Sequence, residues 1–265
     1  VNALLSAEWL KLRSVRSTYA LVAVAASAVL LAALLTWPAV VAWDRQPPEV
    51  RARWQGIPIE QYLVFVPQLC MGVLGVLAVS SEYATGLIRP TLVAVPGRIG
   101  VLAAKAAVVG AAGLVTGEAA VFGTFAVSRA LIGDRPFPNH TSPLPEELPL
   151  LLCLGLSVAV FAVVGLALGA ATRSTAAGVV CVVAVLFVIP VIVSYLPGPW
   201  NVRVGAVMLP DLPTQLVGAV FDTGITTGPW ARVAFLPPGW AWAVLAAYVV
   251  APLAAAAVLL RRRDA

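Results

Sequence analysis

Glu118 is the residue whose type and position most invite chemistry. It interrupts an otherwise charge-free run from 106 to 128, and an ionised carboxylate at the centre of an apolar helix costs about 2.5–3.5 kcal/mol on insertion scales. It must therefore face protein or water, where it could touch a cargo or exchange a proton. It could equally be a hydrogen-bonded carboxyl packed on a neighbouring helix, with Thr124 and Ser128 on the same run. Other chemistries lack their parts. His140 is the single histidine and sits in a Pro-rich segment, where a His-based metal site or a Ser-His-Asp triad is hard to build and a solvated loop residue is the better reading. HExxH and GxSxG are absent. Cys70, Cys153 and Cys181 fall inside apolar runs without CxxC spacing, which suits small buried thiols and neither zinc nor a disulfide framework. No catalytic, cofactor-binding or metal-ligating set is expected.

The elements that must hold these residues follow from composition. Of 265 residues, 61% are hydrophobic and 11% charged, against about a quarter charged in a soluble domain. The charges gather in islands between long apolar runs. A bilayer core needs roughly 20 apolar residues in helical form, and the runs place six spans at about 18–42, 60–80, 104–129, 149–171, 176–197 and 239–260. They are continuously apolar instead of alternating, which favours helices over a barrel. The fold expected is all-α: one polytopic membrane helix bundle. The first run exceeds the 7–15 residues of a signal-peptide core, so it should remain as a span. With the N-terminus cytoplasmic, ten of the seventeen Lys and Arg fall on the inner side, and the positive-inside rule then puts both termini there. The location expected is the inner or plasma membrane of the cell. The net charge of +5 lacks the aromatic-interleaved basic surface of a nucleic-acid binder.

Two polar segments stand out. In residues 2–17, Leu5, Trp9 and Leu12 recur at i, i+4 and i+7, as in a helix lying on the inner leaflet with Lys11, Arg13 and Arg16 near lipid phosphates; a plain basic anchor would read the same. The second, 81–98, joins the second and third spans and carries Glu82, Tyr83, Gly86, Arg89 and Arg98. Ser81 could cap a short helix starting near Glu82, ended by Gly86 and Pro90. Such a helix could dock a cytoplasmic partner or be an ordinary polar loop. The outer segment 198–238 is too long to be structureless, and Gln215 to Phe221 is apolar enough for a short, half-inserted helix. Small residues line faces at Ala106, Gly110, Gly113, Gly117 and at Gly165, Gly169, which suits close packing within the chain more than dimerisation.

The strings EWLKLRSVRSTYAL and SSEYATGLIRPTLVAVPGR, followed by Lys105, within a six-span layout, resemble the permease subunits of type-2 ABC transporters, particularly actinobacterial members. The resemblance covers nearly the whole chain. It implies a half-transporter that pairs with a second permease copy and binds separate P-loop ATPase subunits holding ATP and Mg. It maps an interfacial connecting helix onto Glu8, Trp9, Lys11, Arg13 and Arg16. It also maps an ATPase-coupling helix onto Glu82, Tyr83, Gly86 and Arg89 with Arg98, and re-entrant helices onto 198–238. Leu87 departs from the Thr that many members carry, and Pro90 shortens the helix. No GxxxxGK[ST] occurs, so any ATPase must be another chain. The expected function is a permease of an ATP-driven exporter, with membrane lipid around it. The rivals are a stand-alone ion-coupled secondary transporter or channel using Glu118, and a non-transporting membrane scaffold.

Overall fold

The computed structural model describes residues 2–51, 58–86, 98–137, 142–218 and 236–262. Among them there is no strand, and six helices are long and apolar enough to cross a membrane: Arg16–Asp44, Ile59–Ala84, Ile99–Ile132, Leu144–Thr172, Thr175–Ser194 and Pro238–Leu260. A separate helix, Asn2–Ser14, precedes them. The all-α membrane bundle expected from composition is what forms.

Bilayer thickness sets a minimum length, and several helices exceed it because polar residues at their ends still find partners. The second span runs unbroken through Glu82 and Tyr83 to Ala84. Ser81 lies inside that helix, its hydroxyl donating to the Leu77 carbonyl, so it caps nothing and no new helix starts at Glu82. Gly86, at φ +72°, turns the chain out of the helix, a conformation that a Cβ would oppose. The third helix begins at Arg98, ahead of the expected 104, and the fourth at Leu144, ahead of 149. Within the fifth span, a π-helical turn over Ala184–Val188 precedes Pro190, whose ring and missing N–H disturb regular bonding. In the segment from 198 to 238, helices form at Trp200–Gly205 and Leu212–Leu216, so the apolar stretch at 215 ends a helix instead of starting one; 219–235 lies outside the described residues.

The fourth span is the axis. Phe161, Leu151, Leu166 and Val158 are fully buried, with spans two and three packed along it. The small residues allow this closeness. Gly110, Gly113 and Gly117 face Val163, Ala159 and Gly155, while Gly165 and Gly169 face Gly72 and Val76. Both ladders are thus consumed inside the chain. At one end of the bundle, Val79, Leu102, Ala170 and Ala256 share a cluster with Leu260, so the end of span two, the start of span three, the end of span four and the end of the C-terminal helix lie together.

A Cβ added at Gly75 would run into the Ala162 carbonyl, whereas one at Gly100 meets nothing within 4 Å. Gly75→Ala is expected to lower stability by about 3 kcal/mol, the upper range for overpacking, and Gly100→Ala to be neutral or stabilising by up to about 1 kcal/mol; detergent unfolding of the two variants measures the contrast.

Candidate functional site

The chain contains two lysines and fifteen arginines, and both lysines meet at one place. Lys105, one to two turns into the third helix, is 4% exposed and uses all three ammonium donors: to Glu8 Oε2 at 2.6 Å, Glu82 Oε1 at 2.7 Å and the Ala78 carbonyl at 3.2 Å. Lys11 donates to Glu8 Oε1 at 2.8 Å and to Glu82 Oε1 at 2.9 Å. Two carboxylates and two ammoniums therefore balance across three elements: the N-terminal helix, the last turn of span two and the first turns of span three. Removing the Glu8, Glu82 and Lys105 charges from water is costly, and the geometry offsets it only when every member is paired. A compact tetrahedral ammonium suits three converging acceptors, which a planar guanidinium does not.

Local structure explains the convergence. Glu8 and Lys11 are one turn apart on the same helix face, and Leu5 and Leu12 flank Glu8 in the face that packs on the bundle. Trp9, grouped with those leucines by sequence spacing, instead turns outward at 45% exposure. Arg13 stands 6.0 Å over the Trp9 ring, and Arg16 is also exposed. Around Lys11, burial works against the charge, but hydrogen bonds to Glu8 and Glu82 and their negative charges outweigh it and hold its pKa above the ordinary lysine value.

Of the residues assigned to coupling by resemblance, Glu82 is buried at 6% exposure with its carboxylate turned into this cluster, and Tyr83 is half-buried beside it. Gly86 is exposed at the helix end. Arg89 lies outside the described residues, as does His140, and only the backbone of Arg98 is described. Glu118 is not part of the cluster. Its carboxyl lies over Gly155 of span four, where a Cβ would collide with it, and Oε2 has no hydrogen-bond partner among the described residues. Thr124 and Ser128 donate to their own helix, to the Val121 and Phe125 carbonyls. Sequence reading gave Lys105 no site role, although its rarity was a usable signal. It also passed over Arg173, whose guanidinium stands 5.1 Å from the Tyr83 ring centre.

The cluster joins the two strings on which the family likeness rests. The sequence matches the ABC-2 family transporter protein family over residues 4–191, a stretch that contains all four charged members. The chain belongs to the ABC-2 transporter family. It is thus an ABC-2 type permease component, a multi-pass membrane protein and not itself a catalyst, of a family that partners ABC ATPase subunits in general. No curated protein matches the chain as a relative.

Lys105→Met leaves two buried carboxylates to one partly exposed lysine. We expect a loss of about 3–5 kcal/mol, as for breaking a buried pair from one side, and substantial recovery on adding Glu8→Gln, read by unfolding in detergent. The Lys11 contribution should follow pH by linkage. A raised lysine pKa gives stability that is fully present below its ordinary value of 10.5 and is lost as pH rises through the folded value. The melting deficit of Lys11→Gln should accordingly be constant from neutral pH to about pH 9 and shrink above about pH 10.5.

Proposed function

We propose that this chain is the permease half of an ATP-driven exporter in the cell membrane, with both termini cytoplasmic. A second permease copy, identical or related, completes the translocation path, and separate P-loop ATPase subunits supply ATP and Mg. The observation that carries this reading is the cluster of Glu8, Lys11, Glu82 and Lys105. It fixes the N-terminal helix to both flanks of the 81–98 connection, so a force applied there by an ATPase moves spans two and three as one body. Glu82 then serves as an internal anchor of the coupling segment, while Arg89 belongs to the docking contact.

The outer helices support the rest of the reading. Within their most apolar windows, spans one, five and six are 22%, 22% and 11% buried inside the chain. That leaves broad apolar faces for lipid and for the second permease, and a path between copies suits an amphiphilic cargo.

The test is affinity purification of the tagged chain in mild detergent, with mass spectrometry and an ATP-hydrolysis assay on the eluate. A stoichiometric P-loop ATPase should be recovered, reduced at least tenfold by Arg89→Ala. An eluate without ATPase in several detergents, together with activity driven by a proton gradient and abolished by Glu118→Gln, would replace this reading with the ion-coupled transporter; the Oε2 of Glu118, without a hydrogen-bond partner among the described residues, is the feature that favours that alternative.

A further inference from the structure

Arg173 is the only described residue besides glycine with a positive φ, 53°. It closes the fourth span, its N–H bonded to the Gly169 carbonyl at 2.9 Å, at the position where helices usually place Gly because a Cβ is disfavoured in left-handed backbone. Ser174 then caps the fifth span, its hydroxyl accepting from the Ala177 N–H at 3.4 Å. Two residues thus join two membrane helices. For the backbone alone, Gly would serve better, so an explanation for arginine must come from its side chain. Strained backbone of this kind persists where the surroundings over-determine it, commonly at functional positions.

The side chain has a definite engagement. Its guanidinium stands 5.1 Å from the centre of the Tyr83 ring, within the range of a cation–π contact. Next to it, the Ser80 and Thr175 hydroxyls are 2.8 Å apart. The last turn of span two, which the charge cluster holds through Glu82, is therefore also held through Tyr83 and Ser80 by the turn between spans four and five. The fifth span is well placed to respond. It is little buried in the chain, Gly178 and Val182 seat it on Val76 and Gly72 of span two, and its π-helical turn at Ala184–Val188 is a form of irregularity frequent at functional sites.

We propose that Arg173 is a positioning residue for energy coupling: its stack on Tyr83, with the Ser80–Thr175 hydrogen bond, carries movement of the 81–98 connection into span five as well as span three. The transmission rests on the ATPase-coupled reading above; the link between the two turns does not.

Two measurements test it. In the purified chain alone, with Cys181→Ser, spin labels at Thr85→Cys and Ala176→Cys, both exposed positions, report how firmly the two turns are joined. Arg173→Gly and Tyr83→Leu should broaden the distance distribution at least twofold, and Tyr83→Phe should leave it unchanged. The melting temperature of Arg173→Gly should not fall, because glycine suits the backbone. An unbroadened distribution in both disruptive variants would overturn the link and leave Arg173 as a helix terminator. In the complex with its ATPase, maleimide labelling of each introduced cysteine follows the response to ATP, with Cys70 and Cys153 buried. Wild type should change its rate at least threefold at both positions, and Arg173→Gly only at Thr85→Cys. A full response at Ala176→Cys in that variant would overturn transmission through Arg173. Should no ATPase co-purify, or should Thr85→Cys fail to respond in wild type, the ATPase-coupled reading falls, and transmission with it; the spin-label distribution still decides the link.

Discussion

Charge neutrality in a place with little water governs one end of this helix bundle. Glu8 and Glu82 are buried, Lys105 is buried, and Lys11 lies half-covered over them. None of the three buried members is stable there unpaired, since an unpaired ion in such surroundings costs several kcal/mol. The N-terminal helix, the end of span two and the start of span three are consequently bound by a condition on their sum. That distinguishes them from helices that meet only through apolar packing, which in a membrane has no hydrophobic force behind it.

Glycine contacts supply the complementary rigidity along the bundle. Backbone lies on backbone where Gly75 meets Ala162 and Gly165 meets Gly72, so spans two, three and four form a core without room to shear. Spans one, five and six are attached to that core more loosely, and the fifth carries a π-helical turn. A closely packed core gripped at one end by a charge cluster, with looser helices around it, is the arrangement on which the proposed coupling rests. The contact of Arg173 with Tyr83 extends that grip from the core to the looser fifth span.

The sequence by itself determined the solvent, the fold class and the number of spans. Hydrocarbon allows only helices with every backbone group paired internally, so apolar run length translates directly into helices, and the six appear. The two small-residue ladders were also legible, because no other residue type permits such approach. Helix ends were less so: Ser81 looked like a cap and proved to be interior, because the helix gains more from Glu82 pairing across the bundle than from stopping. Periodicity grouped Trp9 with Leu5 and Leu12, yet the leucines and Glu8 turn to the bundle while the indole stays exposed, since a carboxylate facing two lysines outweighs an indole that is content at an interface. Only the tertiary structure could decide that Glu8, Lys11, Glu82 and Lys105 meet, for they are separated by up to 97 residues and electrostatic pairing depends on distance in space, about which local pattern is silent.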